Sequence, residues 1–206
     1  MDTKLTGKTR IESDLIGARE IPAEALYGVQ TLRGIENFSI SKFRLSEYPL
    51  FIKGLAITKM AAAMANFELG LLTVEQKDAI IAACGEILDG KHHDQFPVDM
   101  IQGGAGTTTN MNANEVIANR ALELMGHERG EYQYCSPNDH VNCSQSTNDA
   151  YPTAIHIGMY FKHLQLLPHL EELIASFRKK GEEFSQIIKM GRTQLEDAVP
   201  LSLIHI

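Results

Sequence analysis

Positive charge is in short supply. Lys and Arg number 19 against 26 Asp and Glu in 206 residues, a net charge of −7 at pH 7 and a sequence pI near 5.6, so the chain carries no sequence-wide electrostatic footprint for nucleic acid. A small anionic substrate would need a local positive site. Cysteine is scarce too: Cys84, Cys135 and Cys143 are odd in number and form no C-x-x-C pair, which excludes a disulfide framework and a Cys-based zinc site. Reduced cytosolic thiols are the default reading. No stretch reaches 18 uninterrupted apolar residues, and no apolar run follows the charges of the N-terminus, so neither a membrane span nor a signal peptide is expected. The sequence therefore reads as a cytoplasmic protein, in which the sequons at Asn37 and Asn142 are chance matches. Period-2 alternation is missing as well, which argues against a strand-rich fold.

What is present is ordinary globular composition, 44% hydrophobic and 22% charged, long enough for one domain and part of a second. Residues 1–48, punctuated by Pro22, Gly28 and Gly34, read as an extended arm or loops with minor helix. From Leu50, the residues Phe51, Leu55, Ile57, Met60, Met64 and Phe67 recur at helical spacing up to Gly70, which predicts an apolar helix buried over much of its circumference. Thr73-x-x-Gln76 is a capping box that opens a second helix running to Gly90. Residues 91–111 read as loop, and Asn112-x-x-Glu115 as a further cap before Val116, Ile117, Ala121 and Leu122. Residues 127–147 are polar and turn-like.

A long helix is expected from Asn148-Asp149, with Pro152 in its first turn and Pro168 interrupting or kinking it. Beyond Pro168, Leu170, Ile174, Phe177, Gly181, Phe184 and Ile188 follow at alternating steps of four and three, a seam for lengthwise packing in a bundle. The expected fold is mainly α. Residues 1–147 form an N-terminal helical domain, and 148–206 the truncated start of a long central helix bundle, because the seam lacks the antiparallel partners it requires.

Three polar segments could carry chemistry. They are Gly103-Gly-Ala-Gly-Thr-Thr-Thr-Asn-Met-Asn-Ala-Asn-Glu115, Ser136-Pro-Asn-Asp-His-Val-Asn-Cys-Ser-Gln-Ser-Thr-Asn-Asp149 and Gly191-Arg-Thr-Gln-Leu-Glu-Asp-Ala-Val-Pro200. Two lead into predicted helices, where free N–H groups and the positive end of the dipole favour a carboxylate or phosphate. Taken singly, each is also explained by turns and caps. The glycine-rich segment follows no strand and lacks Gly-Lys-Ser/Thr, which argues against nucleotide binding. His156, His163 and His169 lack the i, i+4 pairing of a helical zinc site, so no metal ligand is assigned. Arg192 is expected to pair with Glu196 one helical turn away.

Taken together, the motifs at 104–115, 144–153 and 191–200, with Thr9-Arg-Ile-Glu-Ser-Asp14 and Tyr27-Gly-Val-Gln-Thr31, resemble the aspartase/fumarase superfamily from about residue 7 to Pro200. The resemblance implies a mostly helical three-domain subunit, a homotetramer on a central helix bundle, and active sites shared by three subunits. It places Thr107, Ser146, Thr147, Asn148 and Thr193 against the substrate, with Gln194 as a neighbour. Those types suit the implied reaction, elimination of ammonia from L-aspartate to give fumarate. Loss of a Cβ proton loads charge onto the adjacent carboxylate, and hydroxyl and amide donors stabilise it without adding a competing base. Hydratases of this superfamily usually carry histidine where Gln194 stands, as do some aspartases, whereas other aspartases carry glutamine. Expelling hydroxide demands an acid and releasing neutral ammonia does not, so Gln194 favours ammonia elimination over fumarate hydration, the second enzymatic reading.

Ser136-Pro-Asn-Asp139 aligns with a secondary anion site of fumarase relatives that begins with histidine; with serine there, it reads as a structural turn. The superfamily's general base, a serine in a Gly-Ser-Ser-x-Met-Pro-x-Lys-x-Asn loop, is not among these residues, so the sequence offers no catalytic base. The resemblance thus covers the N-terminal half of a family subunit. Leu201–Ile206 do not resemble the family continuation and read as a truncated or misread gene end. The reading from another class is a noncatalytic fragment or helical interaction module. The implied chemistry requires no cofactor. Magnesium activates some relatives, but no binding site is legible. Nucleic acid and membrane partners are not expected.

Overall fold

Good helix formers and their caps set the framework, and the computed structural model describes it over residues 7–102 and 104–202. Residues 1–6, where a leader was sought, Gly103, and the last four residues of the stretch expected to be foreign lie outside the described residues. The chain divides into two units, Met1–Met159 and Tyr160–Ile206.

The first unit opens with an antiparallel hairpin of β1 (Thr9–Asp14) and β2 (Gly17–Pro22), pairing Thr9 with Pro22 and Asp14 with Gly17. This corrects the expected arm. The hairpin escapes a period-2 search because only Glu12 of β1 and Ile21 of β2 are buried, so no apolar face alternates. Arg10 ties the hairpin to the following loop, donating to the carbonyls of Pro22, Ala23, Ala25 and Tyr27. The short helix α1 (Val29–Asn37) follows.

The core is built by α2 (Pro49–Glu68), α3 (Val74–Leu88) and α4 (Thr107–Leu124). The buried positions Ile52, Leu55, Ala56, Lys59, Ala63 and Asn66 of α2 make one stripe at three- and four-residue spacing, with half-buried residues flanking it. Ile80, Ala83, Cys84 and Ile87 of α3 and Val116, Ile117, Ala121 and Leu122 of α4 complete the cluster; full burial of each large aliphatic side chain contributes about 1.5–3 kcal/mol. The Thr73 box forms as expected, with the Gln76 N–H donating to Thr73 Oγ1 at 3.2 Å and the Thr73 N–H donating to Gln76 Oε1 at 3.1 Å. By length and composition α2 could cross a membrane, but its packing against α3 and its buried Lys59 and Asn66 mark a core helix.

The start of α4 is the main correction in this unit. It begins at Thr107, so Asn112 and Glu115 are buried mid-helix residues and not caps. Their side chains hold distant segments: Asn112 Nδ2 donates to the Gln95 carbonyl, and Glu115 accepts from Gly28, Gln30 and Thr31. Within residues 127–147, Pro137–Val141 form a single π-helical turn.

Helix α5 spans Thr147–Glu183. It contains Pro168 without interruption, and Pro152 falls in its second turn, where it has no N–H to give the Asn148 carbonyl. Gly54 lets α5 approach α2 backbone to backbone, since a Cβ there would lie 2.2 Å from the Ala154 carbonyl oxygen.

In the second unit α5 ends at Glu183, before the expected end of the seam, and Ile188 belongs instead to β3 (Ile188–Arg192), which pairs antiparallel with β4 (Asp197–Ser202). The apolar seam of α5 is uncovered, with Leu170 42%, Ile174 48% and Phe177 70% exposed. The expected mainly α class holds: among the described residues, four of the five α-helices exceed 14 residues, and the strands form two short hairpins.

Two ion pairs make stability depend on acid. Arg33 holds the Asp14 carboxyl down to about 2 from 3.8, and Arg120, with His92, holds that of Glu86 down to about 2 from 4.5. Depressed carboxyl values stabilise the fold fully above the unfolded values and lose that contribution as pH falls toward 2. Glu86→Gln should therefore flatten the decline in urea midpoint between pH 4.5 and 2. An unchanged slope would remove Glu86 from the acid response.

Candidate functional site

The glycine-rich segment turns into α4 through Gly106, whose φ of +90° and hypothetical Cβ, 2.2 Å from the Tyr151 ring, admit no side chain. This contact sets the first turn of α4 against the early turns of α5. Gln102 caps α4, its Oε1 accepting from the Thr109 N–H at 2.9 Å and its Nε2 donating to Thr109 Oγ1. Ser146 caps α5, its Oγ accepting from the Asn148 N–H at 3.2 Å. Two positive helix ends thus meet, and Thr107, Ser146 and Asn148 are exposed there while Thr147 is half-buried.

Behind them lies a polar network that the sequence reading missed. Asn110, one turn into α4 and buried, donates from Nδ2 to Thr147 Oγ1 at 3.1 Å and to Asn142 Oδ1 at 3.0 Å. Lys59 of α2, fully buried, donates from Nζ to Asn142 Oδ1 at 2.8 Å and Gln145 Oε1 at 3.0 Å. Burial pulls its ammonium down to about 7 and pushes the nearby Cys84 thiol up to about 12. The available signal was a lysine, Lys59, at a stripe position of a largely apolar helical run that also carries Lys53.

Ser136–Asp139 has the geometry of a turn: Ser136 Oγ accepts from the Asp139 N–H at 3.1 Å and donates to Asp139 Oδ2 at 2.9 Å. Thr193 and Gln194 are exposed in the β3–β4 connection of the second unit, where Thr193 Oγ1 donates to the Glu196 carbonyl at 3.0 Å. The structure brings together Thr107, Ser146, Thr147 and Asn148, all of the first unit. Arg192 meets Asp197 across the hairpin at 3.9 Å and not Glu196, because the segment is a hairpin and helical spacing does not apply.

A separate cleft lies between the ends of α3 and α4, lined by His92, His93, Arg120, His127 and Arg129. Its guanidinium groups are engaged, Arg120 with Glu86 and Glu123 and Arg129 with Glu123, so it offers no uncommitted arginine to an anion. Among the described residues, no group of three His, Cys, Asp or Glu side chains could hold a metal ion.

Known proteins are similar to this chain in sequence and in fold. The family model described as "Lyase" matches residues 17–206. The chain is 59% identical over 194 residues to the aspartate ammonia-lyase of Pseudomonas canavaninivorans, covering 94% of this chain and 41% of that one. It is 56% identical over 200 residues to that of Escherichia coli strain K12, covering 97% and 42%. The crystal structure of a fumarate lyase:delta crystallin from Brucella melitensis bound to cobalt superposes with TM-score 0.91 at 53% identity, over 96% of this chain and 43% of that one. The class II fumarase of Schistosoma mansoni superposes with TM-score 0.87 at 39% identity, over 96% and 42%. The chain spans about two fifths of the length of these relatives. With the match running from the first hairpin through both helix starts to the final strands, the chain belongs to the lyase family, of the aspartase/fumarase type.

Proposed function

We propose that this chain is the N-terminal part of an aspartate ammonia-lyase, which reversibly eliminates ammonia from L-aspartate to give fumarate. The observation that carries the reading is the 56–59% identity to aspartate ammonia-lyases over nearly the whole chain, against 39% to a class II fumarase. Gln194 supports it, since ammonia leaves without the acid that hydroxide requires.

In this reading Thr107, Ser146, Thr147, Asn148 and Thr193 bind the substrate, with Gln194 beside them. A base outside these 206 residues takes the Cβ proton, and the electron pair passes onto the adjacent carboxylate. The hydroxyl, amide and helix-start N–H donors hold that charge until the pair returns to form the double bond and the C–N bond breaks. The chemistry needs no cofactor. The complete enzyme is a cytoplasmic homotetramer whose central bundle covers the exposed seam of α5, and this chain alone is inactive.

The test joins residues 1–200 to the remainder of the Escherichia coli relative and supplies aspartate or malate. Fumarate should form from aspartate and not from malate. Malate dehydration, or an assembled tetramer inert toward aspartate, would sink the reading.

A further inference from the structure

The network behind Thr147 has a direction. Lys59 Nζ only donates when charged, so Asn142 faces it with Oδ1; independently, Asn142 Nδ2 is committed to the Gln145 carbonyl at 3.1 Å. Gln145 is oriented in the same way, with Oε1 toward Lys59 and Nε2 donating to the Val141 and Cys143 carbonyls. With Asn142 Oδ1 an acceptor, Asn110 must present its NH2 group, and one of those hydrogens goes to Thr147 Oγ1. A hydroxyl oxygen that accepts from Asn110 turns its own proton away from Asn110. Asn110 Oδ1 is buried with no partner, so this orientation is held at the cost of an unpaired acceptor. It is held by what the NH2 group meets, Asn142 Oδ1 and Thr147 Oγ1, and this sets the hydroxyl.

We propose that Asn110 is a positioning residue: oriented by Lys59 through Asn142, it fixes Thr147 as a hydrogen-bond donor toward a substrate carboxylate. The inference rests on the proposed lyase reading for the identity of the anion. Even a neutral amine at Lys59 keeps N–H donors for both amide oxygens, so the polarity survives its deprotonation.

Two isosteric substitutions separate polarity from charge and from packing. Asn110→Asp replaces the donor by an acceptor, which draws the Thr147 proton inward. Asn142→Asp adds the same charge but keeps an acceptor facing both Lys59 and Asn110, and the ion pair with Lys59 offsets the lost donor to the Gln145 carbonyl. Fumarate is titrated into the isotopically labelled full chain near pH 6 and followed at the Thr147 and Asn148 amides. Asn110→Asp should bind at least about tenfold more weakly than wild type, and Asn142→Asp within about twofold, as expected for one charge-assisted hydrogen bond.

Equal loss in both would make this a charge effect, and no loss in either a packing role; each result overturns the proposal, as does a wild-type chain that shows no saturable shift. Should Asn110→Asp not fold, a nuclear Overhauser contact between the Asn110 side-chain NH2 and the Thr147 methyl in the wild type decides, and its absence counts against the proposal. These readouts are independent of turnover, so a joined enzyme that fails on aspartate refutes the lyase reading without touching the network.

Discussion

Thr147→Val in the joined enzyme should lower kcat/KM for aspartate by about 100- to 1000-fold, the usual cost of removing one preorganised donor from a developing oxyanion. Valine has nearly the shape of threonine and lacks the hydroxyl. Asn110 keeps Asn142 Oδ1 as a partner at 3.0 Å when Thr147 Oγ1 is gone, so the folding transition should move by less than about 1 kcal/mol. Steady-state kinetics beside thermal unfolding separate the two effects. Turnover within tenfold of wild type in a folded variant would remove Thr147 from the substrate-binding set.

Glu115→Ala should destabilise the first unit by about 3–5 kcal/mol, because it leaves several buried donors unpaired and opens a cavity. Glu115 Oε2 accepts from the Gly28 N–H at 2.8 Å, the Thr31 N–H at 3.0 Å and Thr31 Oγ1 at 2.6 Å, while Oε1 accepts from the Gln30 N–H at 2.8 Å. These are groups of the first turn of α1, which has no side-chain cap of its own. Burial pushes the Glu115 carboxyl upward, and the donors from Thr31, Gln30 and Gly28 pull against it. Glu12 shares the task, accepting from the Val29 N–H at 3.1 Å. Glu115→Gln preserves volume and one acceptor oxygen, so it should cost less than alanine. Equal losses in urea midpoint for the two variants would mean that the unpaired donors, and not the cavity, set the effect, because glutamine leaves no cavity.

The two helices read most securely from the sequence, α2 and α3, owe their legibility to local physics. Their apolar spacing and the Thr73–Gln76 box act within a few residues, and the observed Pro49–Glu68 and Val74–Leu88 spans follow that pattern closely. Helix α4 defeated the same logic. Its Asn112 and Glu115 imitate a cap in sequence, yet they are buried because their partners lie 17 and 84–87 residues away along the chain. A polar side chain that caps its own helix and one that staples a remote loop use the same atoms, and only the fold distinguishes them. The hairpins were invisible for the converse reason: with one buried residue per strand in the first, there was no alternation to find.

The candidate site divides along the same line. The order of the motifs pointed to the family, and only that resemblance singled out Thr107, Ser146, Thr147, Asn148 and Thr193, whose types suit neutral donors to an anion. Tertiary structure decided that α4 and α5 begin side by side, because Gly106 admits Tyr151 where any Cβ would collide. It also decided the polarity behind Thr147, since a buried ammonium, two amides and a hydroxyl from separate segments acquire donor and acceptor roles only when they face one another out of water.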